Sequence, residues 1–433
     1  MSFEIIVSNK KEVKGIKSAL EQIDKFVKPI YQDGENMIIR TSICDTEDPY
    51  FINNGFKIRE YSMSNDKLAI NNGDNDYNRS QGGLLKFVES FLLRYQIANI
   101  EELIVTIPLR YTVYEPLLLF NNSTQRSFVH EKWEGLFKTI GKYTKDLFFR
   151  EMLDEVFTND NLTHVAINMP IIDSDILRRP FNIFPLYNDL LASSVDMTKS
   201  EIWDNPSEFD FNNTLWCHVV QNGIHQYWAP TFTMFSRGNI KEKKRILDTY
   251  KDIENNDIVD LYAGIGYFTL SYLKRKARNV FCFELNPWSV EGLKKGLKKN
   301  KVSGNCHVYC ESNETCIERV VESEISDLRI RHINLGLLPT SKPGWKLALG
   351  LLAMKENNRV LVPLSTMHIH ENVHIDAIND NSFVTDILKE LTQIQPKFKY
   401  DMKHVEKIKT FAPSIWHVCI DVDVITSDFD VNL

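Results

Sequence analysis

The chain has 433 residues, 43% hydrophobic and 25% charged, which is enough apolar material for two or three filled cores and excludes a disordered polymer. The formal net charge of −7 excludes a global electrostatic pull on nucleic acid, although a local basic face can still bind phosphates. No apolar run reaches the ~18 residues of a membrane helix. The longest are 117–120 and 347–354, the latter broken by Gly350, so no membrane association is expected. The start, Met1-Ser2-Phe3-Glu4, has neither a basic nor an apolar leader region, and a cytoplasmic location is expected. Seven scattered cysteines argue against a disulfide framework. Cys306, His307, Cys310 and Cys316 lie close together but form no Cys-x-x-Cys pair, so buried free thiols and no metal are expected.

Residues 3–8 read as a strand. Val13, Ile16, Leu20, Ile23 and Val27 then recur at helical spacing, with Lys10, Lys11, Lys14 and Lys17 on the exposed side. The polar, glycine-containing stretch from Asn71 to Gly83 reads as a surface loop, and Leu85, Val88, Phe91, Leu92 and Tyr95 as a second amphipathic helix. Arg178 and Arg179 stand on a turn interrupted by Pro180. The charged, irregular stretch 197–213 is expected to link an N-terminal α+β region, 1–196, to a second domain, 214–433. That domain opens with strands at 214–220 and 223–228 joined by an Asn222-Gly223 hairpin turn, and Asn239 is a candidate N-cap for a helix reaching Tyr250.

From Ile258 the pattern alternates between strand and helix. Val280 to Phe283 is a strand, and Asn286 caps a helix with Pro287 in its first turn. That helix turns Val290, Leu293 and Leu297 inward and Lys294, Lys295, Lys298 and Lys299 outward. Further strands are expected at 307–310, 330–335 and 360–370. A closing antiparallel hairpin is expected from 404–411 and 415–424. Such alternation implies an α/β fold: a Rossmann-type, class I methyltransferase-like sheet of seven mostly parallel strands.

The segment from Asp260 to Thr269, Asp-Leu-Tyr-Ala-Gly-Ile-Gly-Tyr-Phe-Thr, is laid out as a nucleotide-binding strand, turn and helix. Glu284, 18 residues after Gly266, ends the next apolar run, where an acid can accept ribose hydroxyls. A dinucleotide fingerprint wants a third glycine to seat a pyrophosphate, but that position is Thr269, behind Tyr267 and Phe268. S-adenosylmethionine has no pyrophosphate. Asp260, Ala263, Gly264, Gly266, Tyr267, Phe268 and Glu284 are therefore candidates for its site.

Beyond this turn the chain resembles the eukaryotic tRNA wybutosine-synthesising aminocarboxypropyltransferases. The resemblance is carried by 260–269, by Glu-Leu-Asn-Pro-Trp (284–288) and by Met-Phe-Ser-Arg-Gly-Asn-Ile (234–240). It continues in Asn-Leu-Gly-Leu-Leu-Pro-Thr-Ser (334–341), His-Ile-His-Glu-Asn-Val (368–373) and Lys-Thr-Phe-Ala-Pro (409–413), and earlier in 110–116 and 178–183. It implies transfer of the 3-amino-3-carboxypropyl group of S-adenosylmethionine to carbon 7 of 4-demethylwyosine at position 37 of tRNA(Phe). No obligate protein partner is expected.

By this resemblance Ser236 and Lys243 line the cofactor site, and Lys243 or Arg237 pairs with the methionine carboxylate. Glu284 holds the ribose. Ser312 and Asn313 stand where the family has Asp-Asn at the adenine edge, so Asn313 or the neighbouring Glu311 is expected to supply that contact. Phosphates of the tRNA would meet Lys241-Lys243-Lys244-Arg245 or the stretch from Lys294 to Lys301, together with the N-terminal region. The related guanine-37 N1-methyltransferases carry an Asn-Pro-Pro type turn where this chain has Asn334-Leu335-Gly336, which favours propyl over methyl transfer. His368 and His370 are candidates for taking the proton that carbon 7 releases, and Asn334 for the reaction site. The alternatives are a guanine-37 N1-methyltransferase and a non-catalytic tRNA-binding protein.

Overall fold

A computed structural model describes residues 2–9, 12–23, 25–34, 36–61, 75–158, 161–168, 183–302, 306–325, 327–354 and 364–426. The turn with Arg178 and Arg179, and Lys10 and Lys11, lie outside the described residues. The chain divides into two compact units, Met1–Asn78 and Arg79–Leu433.

In the first unit β1 (Ser2–Val7), α1 (Val13–Gln22), β2 (Phe26–Asp33), β3 (Asn36–Thr41), α2 (Pro49–Asn54) and β4 (Lys57–Tyr61) follow one another. The sheet is antiparallel, ordered β2-β3-β1-β4. Ile5 and Val7 alternate onto its inner face and meet Leu20, Ile39 and Phe51. Val27 does not extend the first helix as its spacing suggested. It belongs to β2, where an aromatic and β-branched run prefers the extended state.

The second unit is entered through α3 (Asn75–Arg94), followed by α4 (Ile100–Ile104), β5 (Tyr111–Tyr114), β6 (Leu117–Asn121), α5 (Glu131–Val156), β7 (His164–Asn168) and β8 (Phe184–Tyr187). Gly82 and Gly83, expected in a loop, lie inside α3, where Gly83 comes close to Val156. Strands β5 to β8 pair in sequence order over an aromatic core that includes Phe91, Phe120, Phe128, Trp133 and Phe148. The stretch read as a linker carries α6 (Glu201–Asp204) and α7 (Glu208–Asn212), and Ile202 and Phe211 pack with Trp288. A hairpin follows, β9 (Cys217–Gln221) and β10 (Ile224–Trp228), turned by Asn222 and Gly223 at φ 53° and 67° as a type I′ turn requires.

The remaining elements are α8 (Ile240–Asp248), β11 (Asp257–Asp260), α9 (Thr269–Lys274), β12 (Asn279–Phe283), α10 (Pro287–Asn300), β13 (Cys306–Tyr309), α11 (Cys316–Glu322), β14 (Ile330–Leu335), α12 (Trp345–Ala353), β15 (Leu364–His374), α13 (Ile375–Asn379), α14 (Ser382–Ile394), β16 (Lys399–Ala412) and β17 (Ile415–Ile425). They form the expected seven-stranded sheet, β13-β12-β11-β14-β15-β17-β16, parallel except for its last two strands. Ile258 and Val280 pack towards α9 and α10, whereas Val259, Phe281 and Ile333 pack towards α11, α12 and α14. Strand order reverses between β11 and β14, and at that reversal the carboxyl ends of parallel strands leave a crevice for a ligand.

Candidate active site

The crevice is built on the turn after β11. Asp260 is fully buried and accepts hydrogen bonds from Thr269 Oγ1 at 2.8 Å and Asn334 Nδ2 at 3.1 Å. Burial raises its pKa, and those donors oppose the shift. Asp260 thus ties the turn to both α9 and β14. Gly264 and Gly266 have φ of +56° and +83°, and a Cβ on Gly266 would stand 2.5 Å from Leu293 Cδ1. The carbonyl of Ala263 accepts from the N–H of Gly266 at 2.9 Å, closing the turn.

Glu284 crosses to the same turn. One carboxylate oxygen accepts from the N–H of Gly264 and the other from the N–H of Asn286, both at 2.8 Å. Burial raises its pKa, and the two backbone donors oppose the rise. Each oxygen keeps a lone pair, so the group can hold vicinal ribose hydroxyls while it holds the turn. Glu284→Ala is therefore expected to weaken S-adenosylmethionine binding at least tenfold by calorimetry. It is also expected to cost about 2 kcal/mol of stability, because two N–H groups lose their acceptor. A variant with wild-type affinity would remove Glu284 from the site.

Lys243 lies across the turn, on α8. It is 2% exposed, and its ammonium donates to Gln221 Oε1 at 2.8 Å and Gln226 Oε1 at 2.6 Å. The rings of Phe235 and Tyr267 flank it at 5.1 Å each. No carboxylate pairs with it among the described residues, and burial pushes its pKa down to about 7. A buried cation facing only neutral partners is an anchor for an anion. The backbone N–H of Ser236 donates to Tyr267 Oη at 3.1 Å, which places the 234–240 motif beside the glycine turn. Arg237 is exposed and donates to Thr112 Oγ1 at 2.6 Å. Asn239 stands at the N-cap position of α8, as expected, but its side chain does not cap it. A 3₁₀ turn, Arg237–Asn239, precedes the helix, and the side chain of Asn239 makes no capping bond.

Of the residues expected at the adenine edge, Glu311 is held by Arg319 at 2.5 and 2.9 Å. Ser312 Oγ accepts from the N–H of Glu314 at 3.3 Å, and Asn313 Nδ2 donates to the carbonyl of Leu261 at 3.0 Å. Glu311 can reach a base only by leaving its arginine. Phe268 packs over the turn after β14, where a Cβ on Gly336 would come within 3.1 Å of its ring. Asn334 Oδ1 is buried without a partner among the described residues. A cradle that a Cβ would fill, an orphaned amide oxygen and an unneutralised lysine together fit S-adenosylmethionine.

The two candidate histidines share a face of β15, as residues i and i+2 of a strand do, but their surroundings differ. His368 Nδ1 bonds Asp421 at 2.7 Å and its Nε2 bonds His332 at 3.0 Å, so both nitrogens are committed. Among the described residues His370 bonds only His417, Nδ1 to Nε2 at 2.8 Å, and its ring lies 5.0 Å from that of Phe268. Burial and the neighbouring His368 push His370 down to about 3, keeping it neutral.

Two groups of buried side chains place metal-ligating atoms close together, Glu242 with His370 and Cys419, and His368 with Cys419 and Asp421. The guanidinium of Arg245 already fills that space. It donates to both oxygens of Glu242 at 2.8 and 2.7 Å and of Asp421 at 2.5 and 3.1 Å, and to Cys419 Sγ at 3.4 Å. A second cation there would meet it. Of the cysteines at 306–316, Cys316 is buried as expected, but Cys306 is half-buried and Cys310 exposed.

The basic run at 241–245 does not present four free cations on one face. Lys243 and Arg245 are buried, Lys241 pairs with Glu406, and Lys244 pairs with Asp248 at 2.7 Å. Lys294, Lys298, Lys299 and Lys301 are exposed on and just after α10. Sequence reasoning missed Gln221, Gln226 and Phe235 around Lys243, and Asp421 and His332 around His368. These partners lie 17 to 53 residues away except Phe235, and nothing local marks them.

The TRM5/TYW2 methyltransferase domain family matches residues 218–327. The tRNA wybutosine-synthesizing protein 2 of Saccharomyces cerevisiae is 47% identical, with 99% of each chain covered. That of Schizosaccharomyces pombe is 35% identical over 74% of this chain and 73% of its own length. Among solved structures, Pyrococcus horikoshii TYW2 in complex with MeSAdo has a TM-score of 0.51 at 19% identity, covering 78% of this chain and 99% of its own, a likeness of fold. The fold, the glycine turn and full-length relatedness agree: the chain belongs to the tRNA wybutosine-synthesizing protein 2 family.

Proposed function

We propose that this transferase of wybutosine synthesis moves the 3-amino-3-carboxypropyl group of S-adenosylmethionine to carbon 7 of 4-demethylwyosine at position 37 of tRNA(Phe), in the cytoplasm. The observation that carries propyl over methyl transfer is the turn after β14. Phe268 lies beside Gly336, so any residue with a Cβ there, the proline of the methyltransferase turn included, would stand 3.1 Å from its ring and crowd it. Without that wall, the donor's amino-acid tail can be turned towards the acceptor.

S-adenosylmethionine supplies an electrophilic γ-carbon. Its bond to sulfur breaks with the electron pair going to a neutral methylthioadenosine, while the new carbon–carbon bond forms and carbon 7 loses a proton. The chain has to aim that carbon and exclude water. Lys243 holds the carboxylate end of the tail, Glu284 the ribose, and Asp260 fixes the turn between them. Arg237 and Ser236 border the tail. His370 is better placed than His368 to receive the proton, since one of its nitrogens is uncommitted. The exposed lysines on and after α10 serve as phosphate contacts for tRNA.

The test uses tRNA bearing 4-demethylwyosine with S-adenosylmethionine labelled in the carboxyl or in the methyl group. Carboxyl label is expected in RNA. Methyl label instead would make the protein a methyltransferase, and neither label with tRNA still bound would make it a binding protein.

A further inference from the structure

Along one face of β15 the polar side chains lose their partners towards the carboxyl end. His368 is fully bonded and His370 has an unpaired Nε2, while neither Oδ1 nor Nδ2 of Asn372 has a partner among the described residues. Across the sheet from Asn372 stands His417, 4% exposed, whose Nδ1 is also unpaired. The Arg237–Asn239 turn brings a further orphan, the buried Oδ1 of Asn239. Buried polar groups are nearly always bonded, so such a concentration marks a place built for a ligand or for water.

Its position says which ligand. The ring of His370 faces Phe268 of the cofactor turn at 5.0 Å, and the N–H of Asn372 donates to the carbonyl of Pro339, in the loop that follows Asn334 and Gly336, at 2.8 Å. The opposite wall is Lys409, which pairs with His417 across β16 and β17 and lies along Gly238, where a Cβ would run into its side chain. No acid or acceptor bonds Lys409 among the described residues, and burial lowers its pKa. Its unbranched chain is the most adjustable part of the wall, and its ammonium stands ready for a phosphate once the pocket is entered.

We propose that Asn372, His370, His417 and Asn239 form the pocket that reads the polar edge of the acceptor base, with Lys409 closing it and meeting a flanking phosphate. This rests on the transfer reaction proposed above. A purine-derived tricycle presents ring carbonyl and nitrogen groups, and the amide of Asn372 offers a donor and an acceptor side by side to match them. The neutral imidazoles of His370 and His417 share one N–H, so their outer nitrogens present one donor and one acceptor.

The experiment measures transfer to tRNA bearing 4-demethylwyosine by wild type, Asn372→Ala and His417→Gln, with calorimetric titration of S-adenosylmethionine and thermal unfolding of each. The expected result is a loss of 10-fold to 100-fold in kcat/KM for tRNA in both variants, with cofactor affinity within twofold of wild type. His417→Gln preserves an amide for His370 and serves if Asn372→Ala does not fold. Variants that transfer like wild type would show that the orphaned groups hold only water and overturn the pocket. A parallel loss of cofactor affinity would overturn it too, by moving these residues to the donor site. Wild-type protein that transfers nothing overturns the underlying reaction instead.

Discussion

Lys243→Met is expected to weaken S-adenosylmethionine binding about 100-fold, or ~3 kcal/mol, without lowering the unfolding temperature. The lost affinity is that of a buried charge pair. Stability is spared because a buried ammonium bonded to two amide oxygens, with no carboxylate beside it among the described residues, is itself a burden on the fold. The pH dependence is distinctive. With its pKa pushed down to about 7, Lys243 loses its proton in the free enzyme above that pH, and holding a carboxylate restores it. Affinity should therefore fall about tenfold per pH unit above ~7. Calorimetry at pH 8 in two buffers of different ionisation enthalpy should find about one proton taken up, and none in Lys243→Met. Folding shows the opposite trend. The unfolded chain holds this proton up to ~10.4, so the cost of the buried charge is complete below about 7 and is relieved as pH rises. A pH-independent affinity would sink the assignment.

Asp421→Asn is expected to destabilise the protein by about 4 kcal/mol in urea unfolding at pH 7, because it leaves the guanidinium of Arg245 buried with Glu242 as its one carboxylate. Burial raises the pKa of Asp421, but His368 and Arg245 outweigh it and hold the carboxyl well below its usual range. Its contribution is thus complete above ~4 and is lost as pH falls through the folded-state value. The gap between variant and wild type should close in acid. A loss under about 1 kcal/mol would mean that solvent, rather than the ion pairs, stabilises Arg245.

The sheet was legible because its signals are local. Asn286 and Pro287 start α10 as their residue types dictate, the bond from the N–H of Trp288 to Asn286 being 3.0 Å long. Asn222-Gly223 turned the hairpin, and the closing strands were found to within a few residues. The glycine turn and Glu284 were legible for the same reason, since strand, turn and acid follow at fixed spacing. What escaped depended on the third dimension. Residues 241–245 read as one basic run in which the family resemblance alone set Lys243 apart as a cofactor residue, yet α8 turns both Lys243 and Arg245 onto the sheet, and only packing against Gln226 and Asp421 reveals it. Asn239 has the chemistry and the position of a helix cap, but a 3₁₀ turn ends on it and its side chain makes no capping bond. His368 and His370 were indistinguishable in sequence, because the difference between them is made by β17.

The solitary lysine beside the glycine turn also bears on turnover. In the proposed reaction the carboxylate crosses to the RNA with the transferred group, so the remaining nucleoside has nothing to offer Lys243. On the assignment proposed for Lys243, the cation that holds the donor by its tail would then hold the modified tRNA, leaving methylthioadenosine with its ribose and base contacts. Product departure would thereby be given an order, with the thioether leaving first. Fresh S-adenosylmethionine competes for the lysine with the arm of the base just made, which ties release of finished tRNA to the supply of donor.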